Sequence, residues 1–108
     1  MHTITNEADF EALKQDHDVL VAYFTNNVCS VGEAVFPKVV DLLDRSNIPL
    51  VTVDVTAHPS VSGQHVVFTV PTLLVFVFGR ELDRISRHFS LAQVEAMIER
   101  ANATVAAR

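Results

Sequence analysis

Apolar runs and helical spacings take turns along this chain. Val19-Leu20-Val21-Ala22-Tyr23-Phe24 is an unbroken apolar run between polar residues, the pattern of a strand buried on both faces. Before it, Asn6 reads as a helix cap with Asp9 in the first turn, and Phe10 and Leu13 give an apolar face, so a helix is predicted over about Glu7 to Gln15. After it comes a polar loop, Thr25 to Ser30. From about Gly32 the period becomes helical through Val35, Val39, Leu42 and Leu43. Pro37 sits inside that helix and predicts a kink over Glu33 to Pro37.

The second half repeats the alternation. Ile48 to Val55 is rich in β-formers and ends at the Ala57-His58-Pro59 turn, after which Ser60 to His65 forms a short helical turn. Thr72 to Phe78 is a third strong strand, and Gly79 turns it into an edge strand over Glu81 to His88. Ser90 with Gln93 is a capping box that opens a last helix through Val94, Met97 and Ile98. With His2 to Ile4 as a first edge strand, the order is β-α-β-α-β-α-β-β-α. That order implies an α/β fold, a central mixed sheet with helices on both faces, and one domain over residues 1–108.

Composition removes several function classes. With 49% hydrophobic and 19% charged residues, the chain can bury enough surface to fold, so disorder is excluded. Its single cysteine, Cys29, cannot staple a disulfide module, and with five scattered histidines it gives no zinc-ligand spacing. Eight basic against thirteen acidic residues leave a net charge of −5, the wrong sign for a nucleic-acid partner. Apolar runs such as Leu73 to Phe78 fall far short of the roughly 20 residues that span a bilayer. Glu7, Asp9 and Glu11 stand where a signal peptide would be basic and apolar, so a soluble, cytoplasmic protein is expected.

Three stretches, within about Asn6 to Ala101, together resemble one known protein family. The strand Val19 to Phe24 leads into a loop holding Cys29, and Pro37 follows at the spacing that separates the family's first motif cysteine from its kinking proline. Val51-Thr52-Val53-Asp54 followed by His58-Pro59 looks like the family's third strand and its exit. Val70-Pro71-Thr72-Leu73-Leu74-Val75-Phe76 is similar, almost residue for residue, to the family's cis-proline segment. The family they resemble is thioredoxin, and the resemblance implies a thioredoxin-like fold.

It also exposes departures. The motif reads Cys29-Ser30-Val31-Gly32, so the family's second cysteine is Gly32, and Val28 replaces the tryptophan expected before the first. With one extra residue between Thr25 and Val28, the family's buried aspartate and its nearby lysine look like Ala22 and Leu50 here. An unpaired buried charge is costly, which makes their joint loss sensible. Dithiol reduction needs a second thiol in the motif to resolve the mixed disulfide, and Gly32 has none. An ordinary dithiol reductase is therefore excluded.

Two functions remain. In the first, Cys29 acts alone in mixed-disulfide exchange with protein or low-molecular-weight thiols, a monothiol redox chemistry; a helix starting near Ser30 would favour its thiolate. In the second the fold is redox-inert and holds a partner peptide beside Pro71, where the resemblance implies that the Val70 backbone pairs with an extended strand. Cys29 is then an inert small apolar residue. A dimer linked through Cys29 is a third arrangement the sequence allows. Ser30 reads as an N-cap or as a hydrogen-bond donor to the sulfur.

The remaining polar residues read as structural. His58 and His65 form a weak metal or proton site or, more simply, are turn histidines, and His2, His17 and His88 look solvated. Asp54 caps the turn that follows it. Phe24, Phe36, Phe68, Phe76 and Phe78 read as core. No metal or cofactor is expected.

Overall fold

The central strands are buried along their whole length, and everything else is arranged to cover them. In the computed structural model, which describes residues 2–26 and 34–108, these are β2 (Val19–Thr25) and β4 (Thr72–Val77). The other strands are β1 (His2–Thr3), β3 (Leu50–Asp54) and β5 (Arg80–Ser86). The helices are α1 (Glu7–Asp16), α2 (Val35–Arg45), α3 (Pro59–Gln64) and α4 (Leu91–Ala106). The sheet runs β1-β3-β2-β4-β5, with β1, β3 and β2 parallel and β4 antiparallel to both of its neighbours. This is the mixed sheet that the alternation predicts.

Strand pleating sends alternate residues to two separate cores. Val19, Val21 and Tyr23 pack with Leu73 and Val75 under Val39 and Leu43 of α2 and Val94, Met97 and Ile98 of α4. Leu20, Ala22 and Phe24 pack with Leu74 and Phe76 under Phe10 of α1 and Val61 of α3. Helices thus cover both faces.

Local chemistry sets the element ends. The Asn6 side chain accepts from the Asp9 amide at 2.8 Å, and α1 begins there. Gln93 N–H donates to Ser90 Oγ while Ser90 N–H donates to Gln93 Oε1 at 2.8 Å, which completes the capping box of α4. Phe78 and Gly79 join β4 to β5 with φ of 51° and 80°, the doubly left-handed turn whose twist suits a two-residue hairpin.

Several boundaries differ from the sequence pattern, each for a visible reason. Strand β3 starts at Leu50 because the Ile48 amide closes the end of α2 on the Leu43 carbonyl, and Pro49 has no N–H for a ladder. Helix α3 starts one residue early, with Pro59 in a first-turn position where no amide is needed. Strand β5 ends at Ser86 because the Arg87 backbone turns left-handed, and the imperfect alternation of β5 reflects a bulge at the Val75/Phe76 register shift. The described part of α2 has Pro37 in its first turn, where the missing amide breaks no helical bond. The expected kink begins at Glu33, outside the described residues.

Candidate functional site

The carboxyl ends of β2 and β3 and the connection into β4 form one rim of the sheet. Val28, Cys29, Ser30, Val31 and Gly32 lie outside the described residues, in the connection between β2 and α2. The loop facing that rim, Val66 to Pro71, is held in place by specific bonds. Arg84 of β5 donates through its guanidinium to the carbonyls of His65 (2.8 Å) and Val66 (2.9 Å). The same guanidinium makes two 2.7 Å bonds to the Glu81 carboxylate. Hydrogen bonding to Glu81 raises the Arg84 pKa further above its already high ordinary value. Val66 adopts φ of 56°, a left-handed conformation costly for a β-branched residue, and the Arg84 bonds help keep it there.

The Val70–Pro71 peptide bond is cis. Around it, Thr72 Oγ1 donates to the Thr69 carbonyl at 2.6 Å and lies 2.9 Å from Ser86 Oγ, and the Arg87 amide donates to the Pro71 carbonyl at 2.8 Å. Val70 differs from its neighbours: among the described residues neither its N–H nor its C=O has a hydrogen-bond partner. Beside Pro71 opens a groove of about 320 Å³ lined by Ala34, Val35, Pro71, Arg87, His88 and Phe89. Larger hollows flank His17 and Asp44, and Phe78 and Leu82, at the opposite ends of the central strands.

Beneath the groove lies Tyr23. Its ring packs 4.7 Å from Phe36 and 6.5 Å from Phe89, and its buried hydroxyl has no partner among the described residues. This geometry corrects one sequence reading. Ala22 belongs to the core under α1 and α3, whereas Leu50 belongs to the core under α2 and α4, so the two could not have carried a charge pair across one face. On Leu50's face β2 presents Val19, Val21 and Tyr23, with Val21 in direct register with Leu50 and Tyr23 one position beyond Ala22. Neither Ala22 nor Tyr23 carries a carboxylate, so the relay acid is missing in either register.

Two further readings change. His65 lies in the turn that ends α3, but it is not a surface residue: it sits half-buried against Phe10, Phe24 and Phe76, with ring centroids 4.9, 6.0 and 5.8 Å away. Its Nδ1 lies 2.8 Å from the Val61 carbonyl and must donate there, which leaves Nε2 to accept from Lys14 Nζ at 3.2 Å. Lys14 is itself buried, pairs with Glu11 at 2.6 Å and lies over the Phe10 and Phe76 rings. Periodicity could not show this cluster, because its members come together only through the α1–α3 packing. Phe68 is not core: it is 82% exposed in the loop before Pro71. Phe24 and Phe76 are buried, and Phe36 and Phe78 pack against the core at its edge.

Asp54 caps its turn as expected, Oδ1 accepting from the Thr56 amide at 2.9 Å and the Ala57 amide at 3.3 Å. Among the described residues no group of three or more His, Cys, Asp or Glu side chains is placed to hold a metal, and no helix is long and apolar enough to cross a membrane.

Comparison with known proteins matches these features to one family. The family model described as Thioredoxin matches residues 1–100. The chain is 33% identical over 101 residues to the thioredoxin-like protein YdfQ of Bacillus subtilis, covering 93% of this chain and 88% of that protein. It is 37% identical over 87 residues to Thioredoxin-2 of Pyricularia oryzae, covering 79% of this chain and 50% of the other, so it spans about half of that protein's length. Among solved structures, a mutant thioredoxin from Halobacterium salinarum superposes with a TM-score of 0.85 at 20% identity, over 93% of this chain and 88% of that one.

Proposed function

The chain belongs to the thioredoxin family, and from that premise we propose that it carries out thiol–disulfide exchange through Cys29 alone. The observation that carries the reading is the cysteine count: one thiol, at the family's first motif position, with Gly32 where the second would be. The chemistry then has two external participants. The Cys29 thiolate attacks one sulfur of a substrate disulfide, a Cys29–substrate S–S bond forms, the substrate's own S–S bond breaks, and the departing thiolate takes up a proton. A second thiol from solution attacks the substrate sulfur of the mixed disulfide, releases Cys29 and leaves with the substrate as a new disulfide. That thiol is the reductant, and a reducing compartment such as the cytoplasm supplies it.

Substrate is held by main-chain pairing. The N–H and C=O of Val70, without partners among the described residues and next to a groove with apolar walls, suit an extended peptide that adds as a short strand. The same backbone favours a second reading, in which the groove binds a partner peptide and Cys29 takes no part. Reaction of the protein with an activated peptide disulfide decides between them. Single-thiol exchange predicts a covalent peptide adduct that an external thiol reverses and that Cys29→Ser does not form. Peptide binding that is undiminished by Cys29→Ser, without any adduct in the native protein, supports the binding module instead.

A further inference from the structure

The groove beside Pro71 carries a charge that the exchange reaction does not need. Arg87 and His88 are exposed at its rim, and Ala34, Val35, Pro71 and Phe89 supply the rest of its lining. Arg45, Arg84 and Arg100 pair with Asp41, Glu81 and Asp83, and Arg108 lies over the Phe78 ring, whereas Arg80 and Arg87 have no ion pair among the described residues, and of these two only Arg87 lines the groove beside Pro71. Among the described residues Arg87 makes neither an ion pair nor a side-chain hydrogen bond, and no acidic side chain lines the groove.

Arg87 is also held at a fixed place. Its amide donates to the Pro71 carbonyl at 2.8 Å, and its φ of 69° keeps the residue in the left-handed region where glycine is the easy choice. The guanidinium is therefore carried from a backbone tied directly to Pro71, one residue from the Val70 amide and carbonyl, which have no partner among the described residues. A peptide strand paired at Val70 passes this rim. We propose that Arg87, with His88 beside it, selects peptide disulfides that carry a carboxylate side chain next to the reacting cysteine. A guanidinium offers a carboxylate paired, directed N–H donors, and repels a cation at the same position. A peptide fits better than a small disulfide because the strand contact at Val70 holds the neighbouring side chain in register with the rim.

The proposal rests on exchange at Cys29, and its test separates the two. Two peptides identical except for Glu or Lys next to a single cysteine are activated as 2-thiopyridyl disulfides, a neutral leaving group. Attack by Cys29 joins its sulfur to the peptide's and releases thiopyridine, which takes up the proton and is read by absorbance. At low salt the Glu peptide is expected to react about three- to tenfold faster than the Lys peptide, with the ratio falling as salt is added. Arg87→Gly, which suits the local backbone, brings the ratio close to one, and Arg87→Glu reverses it. Equal rates for the two peptides at low salt, or a ratio that Arg87→Gly leaves unchanged, overturn the proposal.

Reaction no faster than that of Cys29→Ser would refute single-thiol exchange without touching the groove. In that event the same peptides with serine for cysteine are titrated against the protein, following the backbone amide signals of Val70, Arg87 and His88. Tighter binding of the Glu peptide, lost in Arg87→Gly, upholds selection by Arg87. Equal affinities, or no shift at those amides, refute it.

Discussion

The two faces of the sheet treat their polar groups in opposite ways. Under α1 and α3, Lys14, Glu11 and His65 come together among Phe10, Phe24 and Phe76, and Lys14 and both His65 ring nitrogens are matched: Lys14 to Glu11 and Nε2, Nδ1 to the Val61 carbonyl. On the side of α2 and α4, the Tyr23 hydroxyl is buried without a partner among the described residues. The Val70 backbone and the Arg87 guanidinium at the nearby rim are likewise unpaired there. Matched groups have nothing left to offer a ligand, while unmatched ones near a groove do. The contrast sets a matched polar cluster on one face of the sheet against groups beside a groove that are unmatched among the described residues.

Breaking the matched side should cost stability. Lys14→Ala removes the cation over two aromatic rings and leaves His65 Nε2 and Glu11 without their donor, a loss expected to be about 2–3 kcal/mol by denaturant unfolding. A midpoint like that of the parent protein would show that the cluster is incidental. Next in size, Arg84→Gln gives up the double contact to Glu81 and at least one loop carbonyl, at about 1–2 kcal/mol. Because the folded-state pKa of Arg84 is raised, its contribution is complete below the unfolded value and fades only as pH climbs through the folded one, in strong alkali. The difference between parent and variant should therefore stay constant from mildly acidic to mildly alkaline buffer; a steep change there would contradict the assignment.

The unmatched side should behave in the other direction. Arg87→Gly relieves a left-handed arginine and is expected to raise stability by about 1 kcal/mol in thermal or denaturant unfolding. A clear loss of stability would mean that the side chain holds the fold, not a ligand. The smallest effect is Tyr23→Phe, which deletes a hydroxyl without a partner among the described residues and should be neutral or stabilising by under about 1 kcal/mol. A destabilisation comparable to that of Lys14→Ala would place Tyr23 with the matched groups.

Much of the fold is readable from local pattern. The buried runs Val19 to Phe24 and Thr72 to Val77, the Asn6 cap, the Ser90 capping box and the Gly79 hairpin are each set by residues close in sequence. Of the site, Pro71 and Val70 are visible because their segment resembles a family's. What stays hidden depends on distant partners. His65 is stacked by residues from α1, β2 and β4, so its own neighbours in the chain give no sign of burial. Phe68 looks like core by composition, yet Arg84 bonds to the His65 and Val66 carbonyls at the start of its loop, and its ring lies outside. The face of the sheet to which Ala22 or Tyr23 belongs is a matter of pleating, and one residue of register reverses it. Arg87 carries no mark in the sequence, because only the structure ties its amide to Pro71.

Single-thiol exchange is tested most directly by the rate at which Cys29 reacts with a neutral disulfide at neutral pH, in the native protein and in the same chain unfolded by denaturant. A working exchange site predicts faster reaction in the native protein than in the unfolded chain, because folding favours the thiolate and keeps it open to substrate. Slower reaction in the native protein would mean that folding shields Cys29, and would contradict exchange through this residue.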